Sequence, residues 1–475
     1  MKKLIALVCL LGICLPLCAC GGGSLAAITN ENENPTEENK TLSDKAEEKG
    51  EIVYPDTFSV GFGRVDISGP LPVDVWESQA TVVGDPLMLT VVAVCDGENV
   101  ALLVGADALG IKKSSYESCA KLVAKYNIPP ENLLINATHS HSAPSIGGNA
   151  RWLKNFYSRF TEAVEAALRD LTPAKAFAGE GETKNFAFVR RYLQPDGSYI
   201  TQGNKSSVKH ETEADRSLRT IRFEREGKKD VLMTNWQSHY MGGIAKGKLS
   251  SDVFGNFRSV AEKELDCHFA YFSGSSGNLN FNSPIPGEKT VDSREEAAEE
   301  FVKAVREAIA GEKEVQTGKI RATSSIYAGT VMKDSPERLA QAKEIANVGR
   351  DSAEGQALIK KYGFSSKYAA TAVITRHNLG DTLDMKFFAV TFGDIAFSTV
   401  PFEQFDTNGQ EVRAASPFPV TFTLSITNDH NGYVPSALAF PHGAYEVGQT
   451  KFVEGSAEEF VREQIRLLNE CKNAA

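Results

Sequence analysis

Between residues 52 and 475, short apolar runs alternate with longer amphipathic ones, with no linker, repeat or low-complexity break, and this limits the fold more than any other feature. The runs LTVVAVCDGENVALLVGAD, LLINAT, LRTIRFE, VLMTNW, FAYFSG, MKFFAVTFGDIAFSTV and VTFTLSIT have the length and β-branched content of strands. The first and sixth fold back on themselves at DGEN and GD. Between the strands, SSYESCAKLVAKYN, FYSRFTEAVEAALRDL, SREEAAEEFVKAVREAIAG, SPERLAQAKEIANV and AEEFVREQIRLLNECK place apolar residues at the i, i+3, i+4 spacing of helices buried along one side. Such interleaving predicts an α/β fold, a layered β-sheet core flanked by helices. The tight turns make the sheet mixed, because they join only antiparallel neighbours. Residues 52–475 are expected to form one unit.

The polar chemistry follows the strands. LLINAT runs into His139 and His141, VLMTNWQS into His239, FAYFSGSSG into Asn278 and Asn280, IAFSTVPF into Glu403, and TLSITNDHNG into Tyr433. Sites of α/β folds lie at such carboxyl ends. In extended backbone, residues two apart share a side, so His139 and His141 are expected to face one pocket. A neutral imidazole is the commonest zinc ligand, and a catalytic zinc takes about three protein ligands plus an open position. The same spacing also serves structural hydrogen-bond networks, so the pair alone leaves both readings open. With His239 and Glu403 the set becomes the nitrogen and oxygen donors of a hydrolytic zinc site, without the thiolates of a structural one. A core histidine and a helix-capping or surface-paired glutamate are the plain alternatives.

The first twenty residues, MKKLIALVCLLGICLPLCAC, carry two lysines, a short apolar stretch and a small residue before Cys20, which reads as an export signal rather than a transmembrane helix. LCAC resembles a bacterial lipobox, which makes Cys20 the lipid-bearing mature N-terminus. Residues 21–51, rich in Asn, Glu and Lys, are expected to be a disordered acidic tether. Signal, lipid and tether place the body outside the cytoplasm, anchored to a bacterial membrane. A formal net charge of −10 argues against a nucleic-acid partner. Beyond residue 20, Cys95, Cys119, Cys267 and Cys471 lack zinc-like spacing and read as buried thiols, with a single disulfide among them left open.

Five stretches together carry a resemblance: FSVGFGRVDISGP (58–70), NATHSHSAP (136–144), NWQSHYMGG with SSDVFG (235–255), VPFEQF (400–405) and NGYVPSALAFPHGAYEVG (431–448). In content and order they resemble the neutral/alkaline non-lysosomal ceramidase family. The resemblance implies a ceramidase-like catalytic domain and a zinc amidase that splits an N-acyl sphingoid base into fatty acid and amine. Carried over position by position, it implies zinc ligands His139, His239, Glu403 and Tyr433. It places His141 in the same pocket, Tyr445 near the scissile amide, and either Arg190 or Arg191 at a site arginine. By this reading Tyr445 and His141 serve the developing oxyanion, and His141 can protonate the leaving amine.

Two departures bear on the substrate. Where ceramidases read GDxSPN this chain reads GNLNFN, so Asn280 occupies the position of the family serine and cannot form an acyl intermediate. Characterised ceramidases also continue into a β-sandwich domain, whereas here a helix follows the tyrosine motif. The expected partner is a lipid or small N-acyl amide. The alternatives are a non-catalytic lipid- or amide-binding lipoprotein and a zinc esterase or amidase with a non-sphingolipid substrate. Asp252 is expected either to orient His239 or to cap a helix, and His430, close to Tyr433 in the sequence, to support the ligands from behind. A helical segment at 335–362 is expected to wall the cleft.

Overall fold

The computed structural model describes residues 52–240 and 246–474. Cys20, the leader and the tether lie outside the described residues, as do Met241, Gly242 and Gly243 of the NWQSHYMGG stretch.

Two sheets carry the fold. The larger is built from β1 (Ser59–Asp66), β2 (Met88–Cys95), β3 (Val100–Ala106), β4 (Leu133–Ala137), β5 (Thr172–Glu182), β6 (Ser217–Arg225), β7 (Val231–Trp236) and β8 (His268–Ser273). Their order is β8-β7-β6-β5-β1-β2-β3-β4, and β9 (Lys313–Val315) lies beside β5. The smaller runs in the order β10 (Ile320–Thr330), β11 (Thr382–Phe392), β12 (Ile395–Thr399), β13 (Val420–Leu424). The DGEN and GD turns join antiparallel neighbours, as expected. Within these two sheets three pairs are parallel: β3 with β4, β7 with β8, and β12 with β13. The sheet is therefore mixed.

Alternation along the strands produces the layers. In β11, Phe388, Val390 and Phe392 enter a core shared with Ile221 and Phe223 of β6, so the two sheets pack face to face. Met385, Phe387 and Ala389 point the other way, onto Phe460, Val461 and Leu468 of a C-terminal helix. The ten α-helices named here are α1 (Lys113–Val123), α2 (Ala150–Arg169), α3 (Asp252–Leu265), α4 (Arg294–Ala310), α5 (Pro336–Val348), α6 (Ala353–Lys361), α7 (Lys367–Asn378), α8 (Asp406–Ala415), α9 (Ala444–Gln449) and α10 (Ser456–Asn473). Helices α2 and α4 cover the larger sheet and α10 the smaller, giving a helix–sheet–sheet–helix stack. A side chain at Gly61 or Gly63 of β1 would meet the Ala167 and Ala163 carbonyl oxygens of α2, so glycine inside this strand lets the helix backbone press onto the sheet.

Helices α5, α6 and α7 have a small core of their own, made by Ala342, Ile345, Ile359, Phe364, Ala369 and Val373. Ser335, Ser352 and Ser366 cap them by accepting from the backbone N–H of Arg338, Gly355 and Ala369. Among the described residues the four cysteines are free and buried, and no helix is long and apolar enough to cross a membrane.

Candidate active site

The parallel pairs aim their carboxyl ends at one place. β4 delivers His139 and His141, and β7 delivers His239. The chain leaving β12 delivers Glu403, and the chain leaving β13 delivers Tyr433, the last two paired in a short parallel ladder. Buried asparagines bind these ends together across the two sheets. Asn136 accepts from Ser273 N–H (2.7 Å) and donates to Ser425 O (2.6 Å), while Asn235 donates to Phe272 O and Thr423 O (3.1 Å each). Each amide satisfies backbone groups that two abutting sheet edges would otherwise leave unpaired.

His139 and His141 do converge, with ring centroids 4.8 Å apart, but not by strand alternation. The strand has ended, and His139 stands in the left-handed region at φ 64°, which turns the chain between the two rings. Asp252 fixes that turn. It accepts from Ser140 Oγ (2.8 Å), Ser142 Oγ (2.7 Å) and Ser142 N–H (3.2 Å), so it orients the histidine turn rather than His239. It is the first residue of α3, but its carboxylate is taken up by the two serines and does not cap the helix.

His139 Nδ1 lies 2.7 Å from Leu109 O, which can only accept, so the proton sits on Nδ1 and Nε2 presents a lone pair. That Nε2 is 3.3 Å from His141 Nε2 and 3.4 Å from Glu403 Oε2. Zinc–nitrogen bonds of about 2.0–2.1 Å place tetrahedral ligands about 3.3 Å apart, so both separations suit a shared cation. Glu403 Oε2 is buried and has no hydrogen-bond partner, an orphan that a cation would satisfy. His239 Nε2 is 2.9 Å from His141 Nε2, and its Nδ1 is 3.8 Å from Glu403 Oε2. Ligand atoms of the three histidines lie within 4.8 Å of one another. These residues fit a metal, and His141 is as close to the centre as its neighbours rather than only lining the pocket.

The electrostatics keep the nitrogens available. Burial, then the neighbouring His139, pushes the His141 ring well below its ordinary value. Burial, then Arg190, does the same to His239. Burial alone would raise Glu403, but His139 and His430 outweigh it and hold the carboxyl well below the usual carboxylate range. His430 Nε2 meets Glu403 Oε1 at 3.1 Å, so the ligand it supports is Glu403.

Arg190 and Arg191 share the buried carboxylate of Glu446 but otherwise meet different groups. Arg190 is fully buried and donates to His239 Nδ1 (3.0 Å), Tyr433 Oη (3.0 Å) and Gly277 O (3.1 Å). Arg191, its neighbour along the chain, faces away and binds Glu211 and the carbonyls of Ala439 and Gly443.

Above these residues opens a cleft of about 760 Å³, lined on its apolar side by Trp76, Leu109, Ile200, Phe364, Tyr368 and Tyr445. The helical wall is not the 335–362 segment itself. Gly363, Phe364 and Ser365 after α6 and Tyr368 of α7 reach the cleft, because α5 and α6 turn their apolar sides into their own small core. Across from them the turn between Val73–Val75 and Ser78–Ala80 brings Trp76 5.3 Å from Tyr368 and 5.4 Å from His141.

Comparison with known proteins gave no matching family model and no matching curated protein. Solved structures do match. A neutral ceramidase from Pseudomonas aeruginosa superposes with TM-score 0.65 at 16% identity, over 88% of this chain and 75% of that one. A ceramidase complexed with C2 gives the same score and identity, over 88% and 76%. The chain has the ceramidase fold.

Within this ceramidase fold, Tyr445 lines the cleft with its ring 5.7 Å from that of Tyr433. Burial, then Glu403, pushes its hydroxyl far above the ordinary tyrosine value, so it remains a donor. Asn280 does not line the cleft. Its amide donates to Gln202, which does, and its backbone pairs with Phe188. Asn278 instead ties the Glu403 segment down by donating to Asp406 (2.6 Å).

Asp406 supplies a pH test. Burial pushes it up to about 6, against donation from Asn278, Asp215 N–H and Thr407 N–H. The folded chain then holds this proton more tightly than the unfolded one. Stability contributed by the protonated form is present below about pH 4 and is lost as pH rises to about 6, a change on the order of 3 kcal/mol. Asp406→Asn is expected to flatten that part of the curve. Urea unfolding of both proteins from pH 4 to 7 measures it, and parallel curves would remove the assignment.

Proposed function

We propose that the protein is a zinc-dependent hydrolase of linear amide bonds, acting on an N-acyl sphingoid base or a related N-acyl lipid. The observation that carries this reading is the convergence of His139, His141, His239 and the unpartnered Glu403 oxygen at the base of an apolar-walled cleft. The ceramidase fold supports the substrate class. Zinc, when bound there, polarises a carbonyl and lowers the pKa of a water towards about 7.

The residues divide the remaining work. His139, His239 and Glu403 hold the metal with Tyr433, and His141 stands close enough to share that role or to carry a proton to the leaving amine. Arg190 keeps His239 and Tyr433 in place. Tyr445, neutral at physiological pH, donates to the oxygen that gains charge. Trp76, Phe364 and Tyr368 exclude water and take the apolar chain. Asn280, outside the cleft, has no part in the chemistry. We further propose that the chain is exported and held at a bacterial membrane through Cys20.

Metal content is the direct test. Residues 52–475 are expected to carry about one zinc per chain by plasma mass spectrometry, lost in His139→Ala prepared identically. No metal in either protein after zinc is added back would sink the reading and leave the histidines structural.

A further inference from the structure

The side that β6 turns toward the smaller sheet changes character along its length. Ile221 and Phe223 lie in the core shared by the two sheets, but the next residues on that side are Arg219 and Ser217. The neighbouring strands follow suit. β5 sets Ala178 opposite Ile221 and Glu180 opposite Arg219, and β9 sets Lys313 opposite Ala178. Here a cavity of about 790 Å³ opens between these three strands, α8 and the segment 418–421. It shares no lining residue with the cleft above the histidines.

Its charged groups are not all answered. Arg413 of α8 is almost wholly buried, pairs with Asp215 and donates from Nη1 to Thr423 Oγ1 (2.9 Å). Asp215 is taken up by that pair and by Ser217 N–H and Oγ. Arg219 donates from Nη2 to Glu180 (2.8 Å), but its Nη1 is buried and has no hydrogen-bond partner. Lys313 is exposed at the mouth and makes no ion pair among the described residues. Three cations thus face two carboxylates, one of which, Glu180, lies largely in water. Burial, then the Arg219 guanidinium, lowers Arg413 to about 10, so the two arginines stand near enough to repel each other.

We propose that this cavity is a binding site for a small organic carboxylate, its headgroup held by Arg219 and Lys313 and its apolar body laid against Phe418 and Val420.

Charge and shape select that class. The surplus of one positive charge is cancelled by a monoanion and overshot by a dianion. In its present pose Arg219 Nη1 has neither a protein partner nor solvent, a costly state for a charged donor, so the guanidinium gains by turning into the cavity toward an acceptor. A planar carboxylate matches the two-donor edge of a guanidinium. The space exceeds what an inorganic ion fills, and Ala178, Phe418, Pro419 and Val420 give the remainder an apolar lining.

Calorimetric titration with hexanoate is the test, with hexanol and inorganic phosphate as the comparison probes. Wild type is expected to bind about one hexanoate per chain, phosphate more weakly and hexanol not measurably. Arg219→Gln is expected to weaken hexanoate about 10- to 100-fold, the loss that follows removal of a hydrogen bond to a charged group. Lys313→Gln is expected to cost about 2- to 5-fold, and Lys313→Glu more than that. His139→Ala, in the separate cleft, should bind as wild type does.

No saturable binding of hexanoate overturns the proposal, as does binding that survives both Arg219→Gln and Lys313→Glu. Binding that disappears in His139→Ala also overturns it, because the ligand then sits in the cleft. Phosphate binding more tightly than hexanoate through the same residues overturns the choice of a carboxylate. Should Arg219→Gln not fold, equal affinity in wild type, Lys313→Gln and Lys313→Glu overturns the site. None of these outcomes depends on the proposed hydrolase: a chain that holds no zinc and splits no amide is still expected to bind hexanoate here.

Discussion

Glu403→Ala is expected to leave the protein without metal and to lower amide hydrolysis by about 10³-fold or more, because several kcal/mol of charge stabilisation go with the metal. The expectation rests on where the carboxylate stands. Its Oε1 is occupied by His430 at 3.1 Å, and its Oε2 faces His139 Nε2 at 3.4 Å with no donor of its own. Removing it leaves the ring nitrogens of His139, His141 and His239 without the one carboxylate that faces them, beside the fully buried cation of Arg190, an environment that disfavours a divalent ion. The fold has reasons to survive: Glu403 N–H donates to Gly432 O, and the ladder with Tyr433 is made by backbone alone. Glu403→Gln is the companion variant. It preserves shape and removes charge, and should lose nearly as much. Plasma mass spectrometry and turnover of N-acyl amides measure both effects, and near wild-type activity in Glu403→Ala would end the metal mechanism.

How the site assembles explains which parts of it could be read from the sequence. The strand exits were legible because each pairs a short apolar run with one conspicuous polar group, and the three parallel pairs bring those exits to one edge. The turn at His139 was not legible. Nothing in NATHSH marks a left-handed histidine, and the residue that holds it, Asp252, lies more than a hundred positions away. The asparagines that join the sheets, Asn136 and Asn235, look like ordinary strand ends until both sheets are in place. The choice between Arg190 and Arg191 needed only the strand rule that neighbours face opposite ways, but the sequence does not say which face meets the cleft. Glu446 carried a usable signal, being the one carboxylate in NGYVPSALAFPHGAYEVG. Other elements were missed for lack of pattern. Strand β5 reads TPAKAFAGEGE, and its partial burial follows no clean alternation. Helix α7 mixes polar and small residues because it buries little beyond its contact with α5 and α9.

The second large effect belongs to a residue with no side chain. Gly277 closes the SGSSG turn against the Glu403 segment: its N–H donates to Gln404 O at 2.8 Å, and its own carbonyl accepts from Arg190 at 3.1 Å. A methyl group there would lie 2.6 Å from Glu403 O and 3.0 Å from Gln404 O, both backbone atoms that cannot rotate aside. Gly277→Ala must therefore push the Glu403–Gln404 strand, and the strand is tied to Tyr433 through their ladder and to Asn278 through Asp406. Carrying the 2.6 Å contact out to the 3.4 Å of an ordinary one takes about 0.8 Å, which disturbs the gap between Glu403 and His139, where the present 3.4 Å suits a shared cation. The overpacking costs about 1–3 kcal/mol of stability, which a well-packed core of this size tolerates. A displacement approaching 1 Å at reacting groups costs about 100-fold in rate. The expected result is a modest fall in Tm with a loss of zinc affinity and kcat on the order of 100-fold, while KM changes little because the apolar wall at Trp76 and Tyr368 is untouched. Gly380→Ala is the control, since its nearest neighbour is Thr382 O at 3.8 Å, and it should be neutral in every assay. Wild-type kcat in Gly277→Ala, with only Tm lowered, would mean that the position of Glu403 does not limit catalysis.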